Sequence, residues 1–163
     1  MQLRVYASFI ILALTAWLDH TWHNAWNWSP ELIFASLVVF AFFLNVWEFI
    51  PLLLWGMWLF AWPLFMGWEV PVMGLLLVIF FFGSRRLPWR PWFNAEVLIL
   101  FGIILLALLF NPGFILARTS LFMTDLSISF IFGIVLFWFL HRVLRYPIRT
   151  AGPLPQRLPI FLP

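Results

Sequence analysis

The stretch VLILFGIILLALLF, from Val97 to Phe110, contains no polar side chain, and other stretches of the chain are nearly as apolar. A domain of 163 residues that folds in water has a large surface to cover, and soluble domains usually carry about 25% charged residues. Here 9% of the residues are charged and 65% are hydrophobic. Lipid must therefore be the solvent for most of the chain, and we predict an all-α integral membrane protein.

Prolines, glycines and charged residues divide the apolar sequence into six segments. We predict one compact bundle of six transmembrane helices over residues 1–150, followed by a short cytoplasmic tail over residues 151–163. Residues 49–83 must hold both the third and the fourth segment. This stretch is short for two crossings, because one crossing typically takes about 20 residues. Two short, kinked or tilted helices and a re-entrant pair are both open alternatives there. The predicted spans are residues 5–18, 30–47, 49–65, 70–83, 94–110 and 125–146.

Residues typical of helix ends support these boundaries. Ser29 can cap the second helix, with Pro30 at its first position and Glu31 in its first turn. Gly83 is a candidate C-terminal cap of the fourth helix. Asn94 and Asp125 are candidate N-terminal caps of the fifth and sixth helices.

The basic residues orient this bundle. With a cytoplasmic N-terminus, Arg118 alone falls on the outer side, and the other arginines fall on the inner side. This bias predicts that both ends are inside. The outer side receives the acidic residues Asp19, Glu31, Glu69 and Asp125, and the inner side receives Arg4, Arg85, Arg86, Arg90, Arg142, Arg145, Arg149 and Arg157.

The polar stretch LDHTWHNAWNW, residues 18–28, is a candidate site between the first two spans. Asp19, His20 and His23 could share a helix face, but zinc takes three or four ligands with oriented second-shell partners. His141, the remaining histidine, falls on the opposite side of the predicted membrane. We therefore predict an interfacial outer loop with tryptophans at headgroup depth, and a metal or catalytic site at these three residues is the alternative.

Two further surfaces stand out. Trp55, Trp58 and Trp62 follow each other at helical spacing and predict either a partner or ligand surface or ordinary packing. A basic rim on the inner side predicts contact with anionic lipid headgroups. The residues of this rim are Arg85, Arg86, Arg90, Arg142, Arg145 and Arg149.

The spans themselves are predicted to be free of buried charge. Glu48 and Glu96 fall at predicted helix starts on the inner side, so neither would lie at mid-membrane. No phosphate-binding loop, nucleophile elbow or metalloprotease pattern occurs in the sequence. We predict a non-enzymatic protein without a cofactor. With no lysine and no soluble segment, nucleic acid is not an expected partner.

The layout of the chain resembles the bacterial rod shape-determining protein MreD family. NWSPELIFASLVVFAFFL (residues 27–44) looks like the family's proline-opened second helix, and ISFIFGIVLFWFLHRVLR (residues 128–145) is similar to its last helix with a basic end. The resemblance implies a multi-pass membrane subunit of the cell-elongation machinery, in the cytoplasmic (inner) membrane of a bacterium. Its partners would be the scaffold protein MreC and the wall-building glycosyltransferase–transpeptidase pair.

A second family of small six-span proteins has a similar architecture. These are the substrate-capture subunits of energy-coupling-factor vitamin transporters. Such a subunit would hold its ligand with outer loops and aromatic groups, and it would dock through small residues of its first helix. YASFIILALTAWL (residues 6–18) has alanines but no clean pair of small residues four apart, which favours the first family.

Overall fold

The computed structural model describes residues 2–26, 31–61, 67–110 and 112–143, and the regular structure in these ranges is helical. This confirms the prediction of a helical fold. Two segments, Pro91–Phe110 and Thr119–Arg142, are long and apolar enough to cross a membrane. The helices are α1 (Gln2–Trp26), α2 (Leu32–Ala41), α3 (Val46–Ala61), α4 (Glu69–Ser84), α5 (Pro91–Phe110), α6 (Pro112–Ala117) and α7 (Thr119–Trp138), and α7 continues into a π-helical turn (Phe139–Val143).

Helix α2 forms the centre of the bundle. Its sequence is apolar all round, which is the pattern of a helix that is enclosed on every side. Each residue from Leu32 to Leu44 is at most 4% exposed, and α1, α3, α4, α5 and α7 all pack against α2. The one hydroxyl within the helix, Ser36, donates a hydrogen bond of 3.3 Å to Thr15 Oγ1 of α1.

Glycines allow the surrounding helices to approach their neighbours closely. Gly102 of α5 faces the ring of Phe34, and a Cβ atom built there would lie 2.3 Å from Phe34 Cζ. Gly133 of α7 lies against Ile99 and the carboxyl group of Glu96. These glycines are isolated in the sequence, so a search for paired small residues does not reveal them.

The ends of several helices differ from the predicted ends. Helix α1 continues to Trp26, so the stretch predicted as a loop after Leu18 is helical over most of its length. Helix α7 begins at Thr119, directly after the short α6, and Asp125 therefore lies within the helix and does not cap it. The predicted cap at Ser29 and Pro30 lies outside the described residues, as do residues 144–163.

Helix α5 also begins earlier than predicted. Pro91 occupies its first position, where a backbone N–H would have no acceptor within the helix. Asn94 is therefore inside the first turn, and its side-chain nitrogen donates to the carbonyl oxygens of Leu87 at 3.3 Å and Trp89 at 3.1 Å. The Asn94 amide thus holds the loop before α5 against the helix. This contact, and not a capping role, accounts for the burial of Asn94.

Helix α3 begins at Val46, whereas the predicted third span begins at residue 49. Glu48 lies in the first turn, and its Oε2 accepts a hydrogen bond of 2.9 Å from the backbone N–H of Asn45. This is the carboxylate half of a capping box. At the end of α4, Gly83 is still helical and Arg85 follows the last residue, so the glycine does not provide the predicted cap.

Candidate functional site

A cavity of about 210 Å³ lies at the end of the bundle where α2, α4 and α7 begin and where α3 and α5 end. Its walls are mainly apolar, with three carboxylate residues among them. We call it the acidic cavity. The lining residues on which its chemistry depends are Glu31, Glu69, Asp125, Phe60, Phe110 and Phe122.

Asp125 joins the start of α2 to α7. It is 6% exposed, and its Oδ1 accepts hydrogen bonds from the backbone N–H of Glu31 at 3.0 Å and from Ser129 Oγ at 3.2 Å. A carboxylate at the beginning of a helix is favoured by the helix dipole, so Asp125 acts on α2 as a cap from a neighbouring helix. Sequence spacing could not reveal this contact, since the two residues are far apart in the chain.

Glu31 directly precedes α2 and lies in the wall of the same cavity. Its side chain is half-buried there. The carboxylates of Asp125, Asp19 and Glu69 lie close enough to act electrostatically on Glu31. The acidic residues at this end of the bundle therefore lie around Glu31.

Asp19, His20 and His23, the alternative metal or catalytic site, all lie on helix α1. Asp19 is half-buried and its charge acts on Glu31, whereas both histidines are exposed. His20 shares a hydrogen bond of 3.1 Å with the amide of Asn24. Within residues 2–26, 31–61, 67–110 and 112–143, no three histidine, cysteine or acidic side chains come close enough to hold a metal ion.

A second acidic group is buried away from the acidic cavity. Glu96 is the sixth residue of α5, is 2% exposed, and has no hydrogen-bond partner for either carboxyl oxygen. The prediction that the spans carry no buried ionisable group was therefore wrong for Glu96 and for Asp125. The error comes from the helix starts, because α5 and α7 begin earlier than predicted and both carboxyl groups move into the helix interior.

The tryptophan stripe of α3 is divided between packing and exposure. Trp55 is half-buried and its ring lies 5.1 Å from that of Phe9 in α1. Trp58 is 47% exposed, and Trp62 lies outside the described residues. Trp55 therefore packs within the bundle, and a partner or ligand surface on Trp58 remains a prediction.

The basic rim gathers at the end of the bundle opposite the acidic cavity. Arg85 donates a hydrogen bond of 3.2 Å to the carbonyl oxygen of Leu44 and lies 4.4 Å from the centre of the Phe81 ring. Arg142 lies 4.9 Å from the ring centre of Trp138. Arg86 and Arg90 are exposed, and Arg145 and Arg149 lie outside the described residues.

Fold and site together define a helical protein with two helices suited to cross a membrane and an acidic cavity at one end of the bundle. No known family model, curated protein or solved structure matches the chain.

Proposed function

We propose that this chain is a six-span, non-enzymatic subunit of the bacterial cell-elongation machinery. It would reside in the cytoplasmic membrane with both ends inside and act through contacts with other membrane proteins. One observation carries the proposal: the central helix is completely enclosed, whereas the helices around it expose large apolar side chains.

Helix α1 is the clearest example of such an outer face. Tyr6, Ile10, Leu14 and Trp17 follow each other at helical spacing, and each is at least 60% exposed. A continuous apolar face of this kind is a liability in water and is suited to lipid or to a partner helix. Helix α7 also exposes apolar side chains, Ile131 and Val135.

The polar side chains with described partners support a role in structure and binding. Asp125 bonds to the backbone before α2, Glu48 to the backbone before α3, and Asn94 to the loop before α5. Each of them thus positions the beginning of a helix. This use of scarce polar groups fits a subunit whose shape is what its partners recognise.

The choice of the cell-elongation machinery rests on the resemblance of the layout to the MreD family. The proposed partners are the scaffold protein MreC and the wall synthase pair, together with lipids. Arg86, Arg90 and Arg142 are exposed, as contact with anionic headgroups would require.

Affinity purification of the full chain from native membranes tests this proposal. We expect a cell-wall scaffold protein to be recovered in amounts comparable to the tagged chain. An unrelated tagged membrane protein, purified in the same detergent, is the control and should recover none. Recovery of an ATP-binding-cassette module without the scaffold protein would contradict the proposal.

A substrate-capture subunit of a vitamin transporter is the second candidate function, and the acidic cavity favours it. A cavity at the end proposed to face outward is where such a subunit would hold its ligand. Recovery of the ATP-binding-cassette module, together with a vitamin detected by mass spectrometry, would establish this candidate.

A further inference from the structure

We propose that Glu96 is a proton-binding site between helices α5 and α7, and that release of its proton separates the two helices in this half of the bundle. The inference goes beyond the proposed function, because it concerns one contact within the chain and is independent of which partners the chain binds.

The carboxyl group of Glu96 is enclosed between the two helices. The residue is 2% exposed, and no described residue donates a hydrogen bond to either of its carboxyl oxygens. Both oxygens face the backbone of Gly133 in α7, since a Cβ atom built there would lie 3.0 Å from Oε1 and 3.2 Å from Oε2. The missing side chain of Gly133 is therefore what leaves room for the carboxyl group.

The helices around Glu96 carry no positive charge that could balance an ionised carboxylate. Helices α2, α4, α6 and α7 pack against α5, and none of them has a basic residue within its described bounds. Their acidic residues are Glu69, at the first position of α4, and Asp125, two turns before Gly133 in α7. Both would oppose a second negative charge in the core, and neither can serve as its partner.

The basic residues beyond these helix ends have other surroundings. Arg85 directly follows α4 and donates a hydrogen bond of 3.2 Å to the carbonyl oxygen of Leu44. Arg142 follows α7 and lies 4.9 Å from the ring centre of Trp138. Arg90 directly precedes α5 and is exposed. A buried carboxylate with neither a cation nor a donor is very costly, so the group is a neutral carboxylic acid in this arrangement.

Loss of the proton must change the contact between α5 and α7. An ionised carboxylate needs water, and water reaches both oxygens only when the backbone of Gly133 moves away from them. Glu96 is the sixth residue of α5 and lies about 8 Å from the helix start, so a short opening at this end admits water, which takes up the proton.

Helix α7 is built to move at this end and to stay fixed at the other. Asp125 holds its first half to the backbone before α2 through a hydrogen bond of 3.0 Å. Six residues after Gly133 the α-helix passes into a π-helical turn, Phe139–Val143. Turns of this kind are rare and occur frequently at functional sites. The half of α7 that contacts Glu96 therefore lies between a fixed point and an irregular turn.

Distances between spin labels on the full chain in lipid nanodiscs test the proposal. Labels on Phe93→Cys in α5 and Val135→Cys in α7 replace exposed side chains on either side of the contact. We expect one distance at pH 5, where the carboxyl group is protonated, and a second population at pH 9 that is longer by about 2–5 Å, the size of known helix shifts. Labels on Leu54→Cys in α3 and Ile79→Cys in α4, both exposed, should keep one distance at both pH values. An unchanged α5–α7 distance would overturn the proposal, as would an equal change in both label pairs.

Variants assign the response to one carboxyl group. Glu96→Gln keeps the shape of the side chain and cannot ionise, so the longer α5–α7 distance should be absent at pH 9. Glu96→Met should behave in the same way, and the α3–α4 labels establish that both variants are folded. His141 in the π-helical turn also titrates between pH 5 and 9, so His141→Gln is the matched control and should retain the full response. A full response in folded Glu96→Gln or Glu96→Met, or its loss in His141→Gln, would contradict the assignment to Glu96.

Discussion

Substitution of Gly102 by alanine is expected to destabilise the protein by about 3 kcal/mol, the upper end of the cost of overpacking a core. The new Cβ atom would lie 2.3 Å from Phe34 Cζ, 2.5 Å from Phe34 Cε1 and 2.8 Å from Phe80 Cε2. Both rings are enclosed, at 0% and 4% exposure, and Phe34 belongs to the central helix. Neither ring can move without displacing the core, so α5 must shift away from α2. Chemical or thermal unfolding in detergent measures the loss.

Gly83→Ala is the matched control for this prediction. Gly83 is also helical, but a Cβ atom there would meet no atom within 4 Å. Alanine in an open helical position should be neutral or stabilising by about 0.5–1 kcal/mol. Equal destabilisation by the two substitutions would show that helix α5 does not approach Phe34 as described.

Substitution of Glu96 by methionine should make the protein more stable, by about 1–3 kcal/mol. Glu96 is 2% exposed and neither of its carboxyl oxygens has a hydrogen-bond partner. Its carboxyl group packs against Gly133, where a Cβ atom would lie 3.0 Å from Glu96 Oε1. Methionine is an unbranched apolar side chain of similar length, so it keeps this packing. It also removes a buried polar group that has no hydrogen-bond partner. The increase in the free energy of unfolding is the measurement.

The same substitution at Glu48 should have the opposite sign. Glu48 is also buried, but its carboxylate accepts a hydrogen bond from the backbone N–H of Asn45 at the start of α3. Glu48→Met leaves that N–H without its partner and should destabilise the protein by about 1–2 kcal/mol. If Glu96→Met were as destabilising as Glu48→Met, Glu96 would have a stabilising partner.

A stabilising Glu96→Met substitution would indicate that Glu96 serves function and not stability. Ionisable groups within apolar helices are expensive, and those that persist usually mark a function. Glu96 faces α7 through Gly133, and Asp125 is two turns earlier on the same buried side of α7. The α5–α7 contact is therefore the part of the bundle where function is most expected to oppose stability.

The helical class and most of the helices could be predicted from local sequence. Apolar runs such as residues 97–110 allow few other structures, and Glu48 lies in the first turn of α3, close to the predicted helix start. Asp19, Glu31, Glu69 and Asp125, which the six-span topology assigns to the outer side, lie together at one end of the bundle.

The acidic cavity and the buried carboxyl groups could not be predicted in the same way. Asp125 resembles a helix cap locally, and only the approach of α2 shows that it accepts a bond from Glu31. Glu96 follows Asn94 and looks like the first turn of a helix, yet Pro91 begins the helix earlier and moves it into the core. These features depend on contacts between distant parts of the chain, which periodicity and spacing do not contain.

The central claim is a bundle that crosses the membrane six times with its acidic cavity outward, and single introduced cysteines test it most directly. The chain contains no cysteine, so the natural sequence is a clean background. A membrane-impermeant maleimide applied to intact cells, and then to lysed cells, reports the side of each exposed position. The positions chosen, one beyond or near the end of each proposed crossing, are His23, Trp47, Trp68, Arg90, Leu116 and Arg142.

We predict strict alternation. Cysteine in place of His23, Trp68 or Leu116 should be labelled in intact cells. Cysteine in place of Trp47, Arg90 or Arg142 should be labelled only after lysis. Labelling of Leu116→Cys and Arg90→Cys from the same side would contradict the account, because helix α5 would then not cross the membrane and the acidic cavity would have no outward face.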